Sequence, residues 1–85
     1  MEIVLTSQAQ EDQDYWKQVN PKILSRIEDL IKDIQAHPFT GIGKPEPLKF
    51  DKRGYWSRRI NREHRLVYKV HEKTLYIAQC RYHYD

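Results

Sequence analysis

The last third of this chain, Tyr55 to Tyr84, leaves the least freedom in how it can fold. It contains Tyr55-Trp56-Ser57-Arg58-Arg59-Ile60, a short break, then His64-Arg65-Leu66-Val67-Tyr68-Lys69-Val70. After Glu72-Lys73 comes Thr74-Leu75-Tyr76-Ile77-Ala78-Gln79-Cys80-Arg81-Tyr82-His83-Tyr84. β-Branched and aromatic residues dominate all three stretches, which predicts three consecutive antiparallel strands. Their polar positions are mostly Arg, Lys and His, not the mixed signs of a solvated sheet. A sheet face carrying guanidinium and imidazole groups is suited to holding phosphate.

The preceding residues read as support for that sheet. Glu2–Thr6 is a short strand candidate. Ser7, with Gln10 three residues on, has the spacing of a capping box and predicts a first helix over about 8–19. That helix is acidic (Glu11, Asp12, Asp14), with Ala9, Trp16 and Val19 loosely on one side. Asn20-Pro21 restarts the chain, Asn as N-cap and Pro at the first helical position. The second helix, about 21–36, has the clearest periodicity: Ile23, Leu24, Ile27, Leu30, Ile31 and Ile34 make one apolar face that packs on the sheet. His37-Pro38 ends it, because the residue before proline is pushed out of helical conformation. The order strand, helix, helix, three strands predicts an α+β fold, β-α-α-β-β-β, with both helices on one face of a largely antiparallel sheet.

Between helix and strands lies Phe39–Lys49, whose two glycines and two prolines predict neither helix nor strand. It is longer than a connection requires, a mark of functional loops. Gly41-Ile42-Gly43-Lys44 is no phosphate-binding P-loop, lacking the spacing, the hydroxyl residue after Lys and a helix behind it. Glu46, held between Pro45 and Pro47, has little freedom. An ion pair with Lys44 or Lys49 and a functional role both remain open for it.

Composition narrows the class. At 85 residues the chain is expected to be one domain, 1–85, burying roughly 60–65% of its unfolded surface. The net charge of +3 is segregated: residues 1–43 carry four Lys/Arg against seven Asp/Glu, and residues 44–85 carry eleven against five. The basic character belongs to the sheet-forming half, as an anion-binding face requires. One cysteine excludes an intrachain disulfide, and Cys80 reads as a buried thiol. Nothing approaches the ~18 apolar residues of a membrane span, and Met1–Leu5 is acidic and too short for a secretory signal, so a cytoplasmic location is expected. No pair of histidines has metal-ligand spacing with a carboxylate or thiol, so no metal or other cofactor is expected.

Strand alternation sorts the side chains by face. His64, Leu66, Tyr68 and Val70 should lie under the helices, leaving Arg65, Val67 and Lys69 outside. If the turn after Ile60 uses three residues, Asn61-Arg62-Glu63, Arg59 falls opposite Arg65, both pointing away from the helices with Tyr55 and Ser57, while Trp56 and Ile60 face the core. Two adjacent arginines repel unless an anion lies between them or carboxylates such as Glu46, Glu63 or Asp51 pair with them. A two-residue turn at Glu72-Lys73 puts Ala78 and Cys80 beside Val67 and Arg65, and His83 on the opposite face. For His83 to join the arginines the chain must bulge or leave the sheet near Arg81-Tyr82. His37 and His71, at a helix end and a turn, read as solvated, and His64 as packed at a strand start.

Lys44-Pro45-Glu46-Pro47-Leu48-Lys49, Tyr55–Ile60, Glu63-His64-Arg65-Leu66-Val67-Tyr68 and Cys80-Arg81-Tyr82-His83-Tyr84 together resemble the YoeB (Txe)-type toxins of the RelE superfamily. The resemblance extends through Ile31-Lys32-Asp33 and His37-Pro38-Phe39 and covers nearly the whole chain. It implies a ribosome-dependent endoribonuclease cutting mRNA in the A site, a cognate antitoxin whose disordered acidic tail folds over the toxin, and a tendency to homodimerise. By matching position it implies Glu46 as general base, His83 as general acid and Arg65 as the cation of the transition state. Lys49, Arg59 and Tyr84 would position phosphate and nucleotide. Members of the family usually end at the tyrosine matching Tyr84, whereas this chain adds Asp85.

The residue types suit such chemistry on their own account. Metal-free RNA cleavage uses the substrate's 2′-OH as nucleophile. It needs a base for that proton, an acid for the departing 5′-oxygen, and cations for the charge gathering on phosphorus. Two alternatives share the scaffold: a non-catalytic poison like the ParE branch, associated with gyrase inhibition, and an RNA-binding module without chemistry.

Overall fold

The computed structural model describes residues 1–83. In chain order they form β1 (Glu2–Leu5), α1 (Ser7–Val19), α2 (Pro21–Ala36), β2 (Glu46–Pro47), one 3₁₀ turn (Phe50–Lys52), β3 (Trp56–Arg59), β4 (Arg65–His71) and β5 (Thr74–Gln79). The strands make one sheet in the order β1-β5-β4-β3-β2. β1 is parallel to β5, and the other pairings are antiparallel. The expected α+β fold is therefore present, with one strand more than expected. β2 lies in a loop that sequence assigned no strand, because two residues are too few for any periodicity to register. It forms where Glu46 and Pro47 lie opposite Ser57 and Trp56. Proline is tolerated there because β2 is an edge strand.

The helix signals act locally. Asn20 caps α2, its Oδ1 accepting from the Lys22 N–H at 3.2 Å, with Pro21 as first helical residue. The N-cap of α1 is Thr6, one residue before the expected Ser7. The Thr6 hydroxyl accepts from the Ala9 N–H (3.1 Å) and donates to the Ala78 carbonyl (2.7 Å), a long-range bond that local spacing does not announce. Ala9 and Trp16 of α1 and Ile27, Leu30 and Ile34 of α2 then pack against Leu66, Tyr68, Leu75 and Ile77 on one sheet face, with Ile60 and Cys80. Each fully buried aliphatic side chain there contributes roughly 1.5–3 kcal/mol.

β5 departs from simple alternation at one residue. Glu72 and Lys73 form the expected two-residue turn, both with positive φ (47° and 64°), and pairing runs from His71–Thr74 to Tyr68–Ile77. Val67 then pairs with Gln79, leaving Ala78 as a bulge. This overturns the expected neighbours: Gln79, not Ala78, takes the outer face, and Cys80 turns into the core instead of lying beside Arg65. α1 holds the detour. The Asp12 carboxylate accepts from the Cys80 N–H (3.0 Å), and the Trp16 indole N–H donates to the Cys80 carbonyl (2.8 Å). Both side chains are buried, so they satisfy backbone groups that the sheet ladder has abandoned.

Candidate functional site

Residues directly opposite in a sheet project from the same face. Glu46, Ser57, Val67 and Gln79 form one row across β2, β3, β4 and β5. Arg59 and Arg65 form the row on one side of it, as the three-residue turn predicted, and Lys69–Tyr76 lies on the other side. Leu66 and Tyr68 are in the core, so all three rows belong to the face away from the helices. Strands lie about 4.8 Å apart and like-facing residues about 6.6 Å apart along a strand. Glu46 is therefore one row along and one strand over from the arginine pair.

The two arginines have no carboxylate partner among the described residues. Among the described residues, ion pairs form only between Arg58 and Asp33 and between His71 and Glu72. Glu46, Glu63 and Asp51 do not neutralise Arg59 or Arg65, and Glu46 pairs with neither Lys44 nor Lys49. Arg65 is oriented by the turn before it: its Nη1 donates to the carbonyls of Asn61 (2.7 Å) and His64 (3.1 Å). The turn is shaped by Asn61, whose Oδ1 accepts from the Glu63 and His64 N–H groups at 2.9 and 2.8 Å. Like charges held opposite one another without a counter-ion leave a place that favours an anion.

Glu46 and Lys49 are both exposed and line one hollow of about 300 Å³, formed by residues 46–52. His83 is exposed too. It follows a kink at Tyr82 (φ 64°), whose N–H donates to His64 Nδ1 at 2.7 Å and whose carbonyl accepts from the Arg65 N–H at 3.0 Å. The tail is thus pinned to the start of β4, at His64 and at Arg65 itself. Gln79, turned outward by the bulge, donates its amide to the carbonyls of Arg81 (3.2 Å) and His83 (3.5 Å). The chain does leave the sheet near Arg81-Tyr82, the condition set for His83 to join the arginines, but the bulge that redirects it is earlier, at Ala78. His64 packs edge-on to Trp16 (4.8 Å between ring centroids). Burial lowers its pKa from the usual 6.5, Glu63 opposing and Arg81, His83 and Arg65 reinforcing. Tyr84 and Asp85 lie outside the described residues.

A buried arginine escaped the sequence reading. Arg58 is 0% exposed, on the core side of β3 between Trp56 and Ile60. Its guanidinium binds the Asp33 carboxylate and the carbonyls of His37, Thr40 (2.9 Å) and Ile42 (3.1 Å), and its Nε donates to the Tyr68 hydroxyl (3.2 Å). The Tyr68 hydroxyl in turn donates a hydrogen bond to the Pro38 carbonyl (2.7 Å). The Asp33 pKa falls below its usual value of 3.8 chiefly through the Arg58 hydrogen bond. This cluster ties the loop that leads into Glu46. Two glycines make room for it: a Cβ on Gly41 (φ 119°) would overlap the Asp33 carboxylate, and one on Gly43 (φ 80°) would meet Leu30 at 2.9 Å. Alternation alone assigns residue 58 to the core, so that signal was legible. Gln79 had no such signal, because the bulge is invisible locally.

No three His, Cys, Asp or Glu side chains converge as metal ligands among the described residues. None of the described helices is long and apolar enough to cross a membrane.

Comparison with known proteins gives a consistent result. Residues 5–84 match the family described as YoeB-like toxin of bacterial type II toxin-antitoxin system. The chain is 49% identical to Toxin YoeB of Escherichia coli K12 over 84 residues, 99% of this chain and all of that one. Among solved structures, a YoeB/ParE toxin from Agrobacterium tumefaciens superposes with a TM-score of 0.97 at 45% identity, covering 99% of this chain and 100% of that one. A Staphylococcus aureus YoeB, solved in a heterotetrameric YoeB-YefM toxin-antitoxin complex, superposes at 0.92 with 47% identity, covering 99% and 98%. That toxin has also been solved as a dimer, at 0.93 and 47% with the same coverage.

Proposed function

Since this chain belongs to the YoeB-like toxins of bacterial type II toxin-antitoxin systems, we propose that it is an endoribonuclease that cuts mRNA in the ribosomal A site. The observation that carries the reading is the Arg59–Arg65 pair, without carboxylate partners among the described residues and on the same sheet face as Glu46. In the proposed reaction the scissile phosphate lies against the arginines. Glu46 removes the proton from the 2′-OH, whose oxygen attacks the adjacent phosphorus. Arg65 stabilises the negative charge on the phosphorane, and His83 protonates the departing 5′-oxygen. A 2′,3′-cyclic phosphate and a 5′-OH end result, with no metal required. Lys49 and Arg59 position the phosphate, and Tyr84 the nucleotide. The pinning of Tyr82 to His64 and Arg65, with Gln79 bound to the His83 carbonyl, supports His83 as the acid.

The ribosome is the partner that aligns the RNA on an open, exposed site. By analogy with the S. aureus complex, an antitoxin silences it, its acidic disordered tail covering the basic face, and the toxin can pair with a second copy.

The test is cleavage of a defined mRNA with and without 70S ribosomes holding an open A site, in EDTA, with the product ends analysed. Cuts confined to the A-site codon, leaving cyclic phosphate, should fall about 10²–10⁴-fold in Glu46→Ala and His83→Ala. If folded protein cuts nothing with or without ribosomes, or if these variants remain toxic in cells, the nuclease reading is refuted and topoisomerase inhibition is assayed next.

A further inference from the structure

Resting on the reading of the substrate as RNA, we infer that the same sheet face carries a second nucleotide subsite: a hollow for a base beside Tyr55, and Lys69 for a phosphate further along the RNA strand. Lys69 lies four residues along β4 from Arg65, on the same face, about 13 Å away. That separation takes it beyond the phosphate between the arginines and towards one further along the same RNA strand. Its ammonium is held between two rings, 5.2 Å from the Tyr55 centroid and 5.6 Å from that of Tyr76. Cation–π contact fixes the position of the charge without neutralising it, and no carboxylate pairs with Lys69 among the described residues.

Between Arg65 and Lys69 the surface sinks into a hollow of about 220 Å³ lined by Asp51, Lys52, Tyr55, Val67, Ala78 and Gln79. Its composition selects a base over a phosphate. Val67 and Ala78 supply an apolar floor and Tyr55 an aromatic wall for stacking. Asp51 and Lys52 bring opposite charges to the lining, leaving no net attraction for phosphate, while the Asp51 carboxylate accepts hydrogen bonds from the amino edge of a base. The bulge creates the floor, since it places Ala78 and Gln79 together opposite Val67. Sequence alone shows none of this, because β5, the 3₁₀ turn and β4 meet only in the folded sheet.

The test is a two-dimensional NMR titration with 2′-O-methyl adenosine oligonucleotides of two and four residues, which lack the nucleophile and cannot be cut. The tetranucleotide should shift the amides of Val67, Lys69, Ala78 and Gln79 as well as those of Arg59 and Arg65. The dinucleotide should shift chiefly the arginine region. Tyr55→Ala should weaken tetranucleotide binding about fivefold or more. Lys69→Gln should reduce the slope of log affinity against log salt by about 0.7. Ala78→Leu, which fills the hollow without touching a charge, should reduce tetranucleotide binding towards that of the dinucleotide.

Several outcomes overturn the subsite. Equal binding of both lengths, shifts confined to the arginine region, or unchanged affinity in folded Lys69→Gln and Ala78→Leu would refute it while leaving the RNA reading intact. A response of Lys69 and the hollow to a glutamate-rich peptide but not to RNA would assign the surface to a protein instead. No shift anywhere on the face at millimolar oligonucleotide would refute the subsite, and ribosome-programmed cleavage then tests the substrate reading independently.

Discussion

Replacing Arg58 by Met keeps most of the side-chain volume and removes the guanidinium, isolating what that group does. In the native protein it satisfies three loop carbonyls, those of His37, Thr40 and Ile42, together with the Tyr68 hydroxyl and the Asp33 carboxylate. Asp33 retains access to water, so its loss is the smaller part. The carbonyls must find water by opening the loop or remain unpartnered, at roughly 1–3 kcal/mol for each group left buried. With relaxation allowed, the expected destabilisation is about 3–5 kcal/mol, the range for removing one partner of a buried charged network. An 85-residue domain has about 4–13 kcal/mol in total. Tm should therefore drop by at least about 12 °C. Urea unfolding followed by Trp fluorescence measures the loss, and amide exchange at Ile42 and Gly43 reports whether the loop opens first. The pH dependence is a second check. Asp33 has a depressed folded pKa, so its stabilisation is present above about 3.8 and is lost as pH falls through the folded value. Arg58→Met should flatten that acid limb. A loss under about 1 kcal/mol with unchanged loop exchange would refute the account of Arg58 as the tie that holds the loop.

Three further outcomes follow from the packing. Gly41→Ala should cost roughly 1–3 kcal/mol by thermal unfolding, since both its φ and the Asp33 carboxylate oppose a Cβ; a neutral result would mean the loop sits elsewhere. His64 is held neutral by burial and accepts a bond from the Tyr82 N–H; with its folded pKa below 6.5, that stabilisation is complete above pH 6.5 and is lost as pH falls through the folded value. Tyr82 amide exchange, corrected for intrinsic rate, should accelerate over that acid window, and His64→Gln should abolish the dependence. Burial, with Asp12 adding, pushes the Cys80 thiol up to about 12, so a thiol reagent should label no cysteine at neutral pH until denaturant is added.

Where sequence and structure agree, the signal was local and repeated. The six-residue apolar stripe of α2, the Asn20-Pro21 start and the Glu72-Lys73 turn each leave a pattern within a few residues. Alternation in β3 and β4, with a three-residue turn between them, placed Arg59 opposite Arg65. The same rule assigned residue 58 to the core side, and the meaning of an arginine there emerged only with its partners from α2 and the loop. Thr6 took the cap from Ser7 because its hydroxyl also reaches Ala78, seventy-two residues away.

The linear order of residues thus settles the element types, the helix-facing side of the central strands and the concentration of positive charge in the second half, because each depends on neighbours in the chain. The register of β5 depends instead on a competition between distant groups. Continuing the ladder would have put Cys80 outside, and Asp12 and Trp16 on α1 draw its backbone inward through a bulge at Ala78. That single residue of slippage turns Gln79 to the outer face, where its amide binds the His83 carbonyl, and floors the hollow beside Tyr55. Glu46 joins the same face only because β2 pairs with β3. Those pairings are decided by side chains and backbone groups that meet only after collapse, when each buried N–H and carbonyl must find a partner.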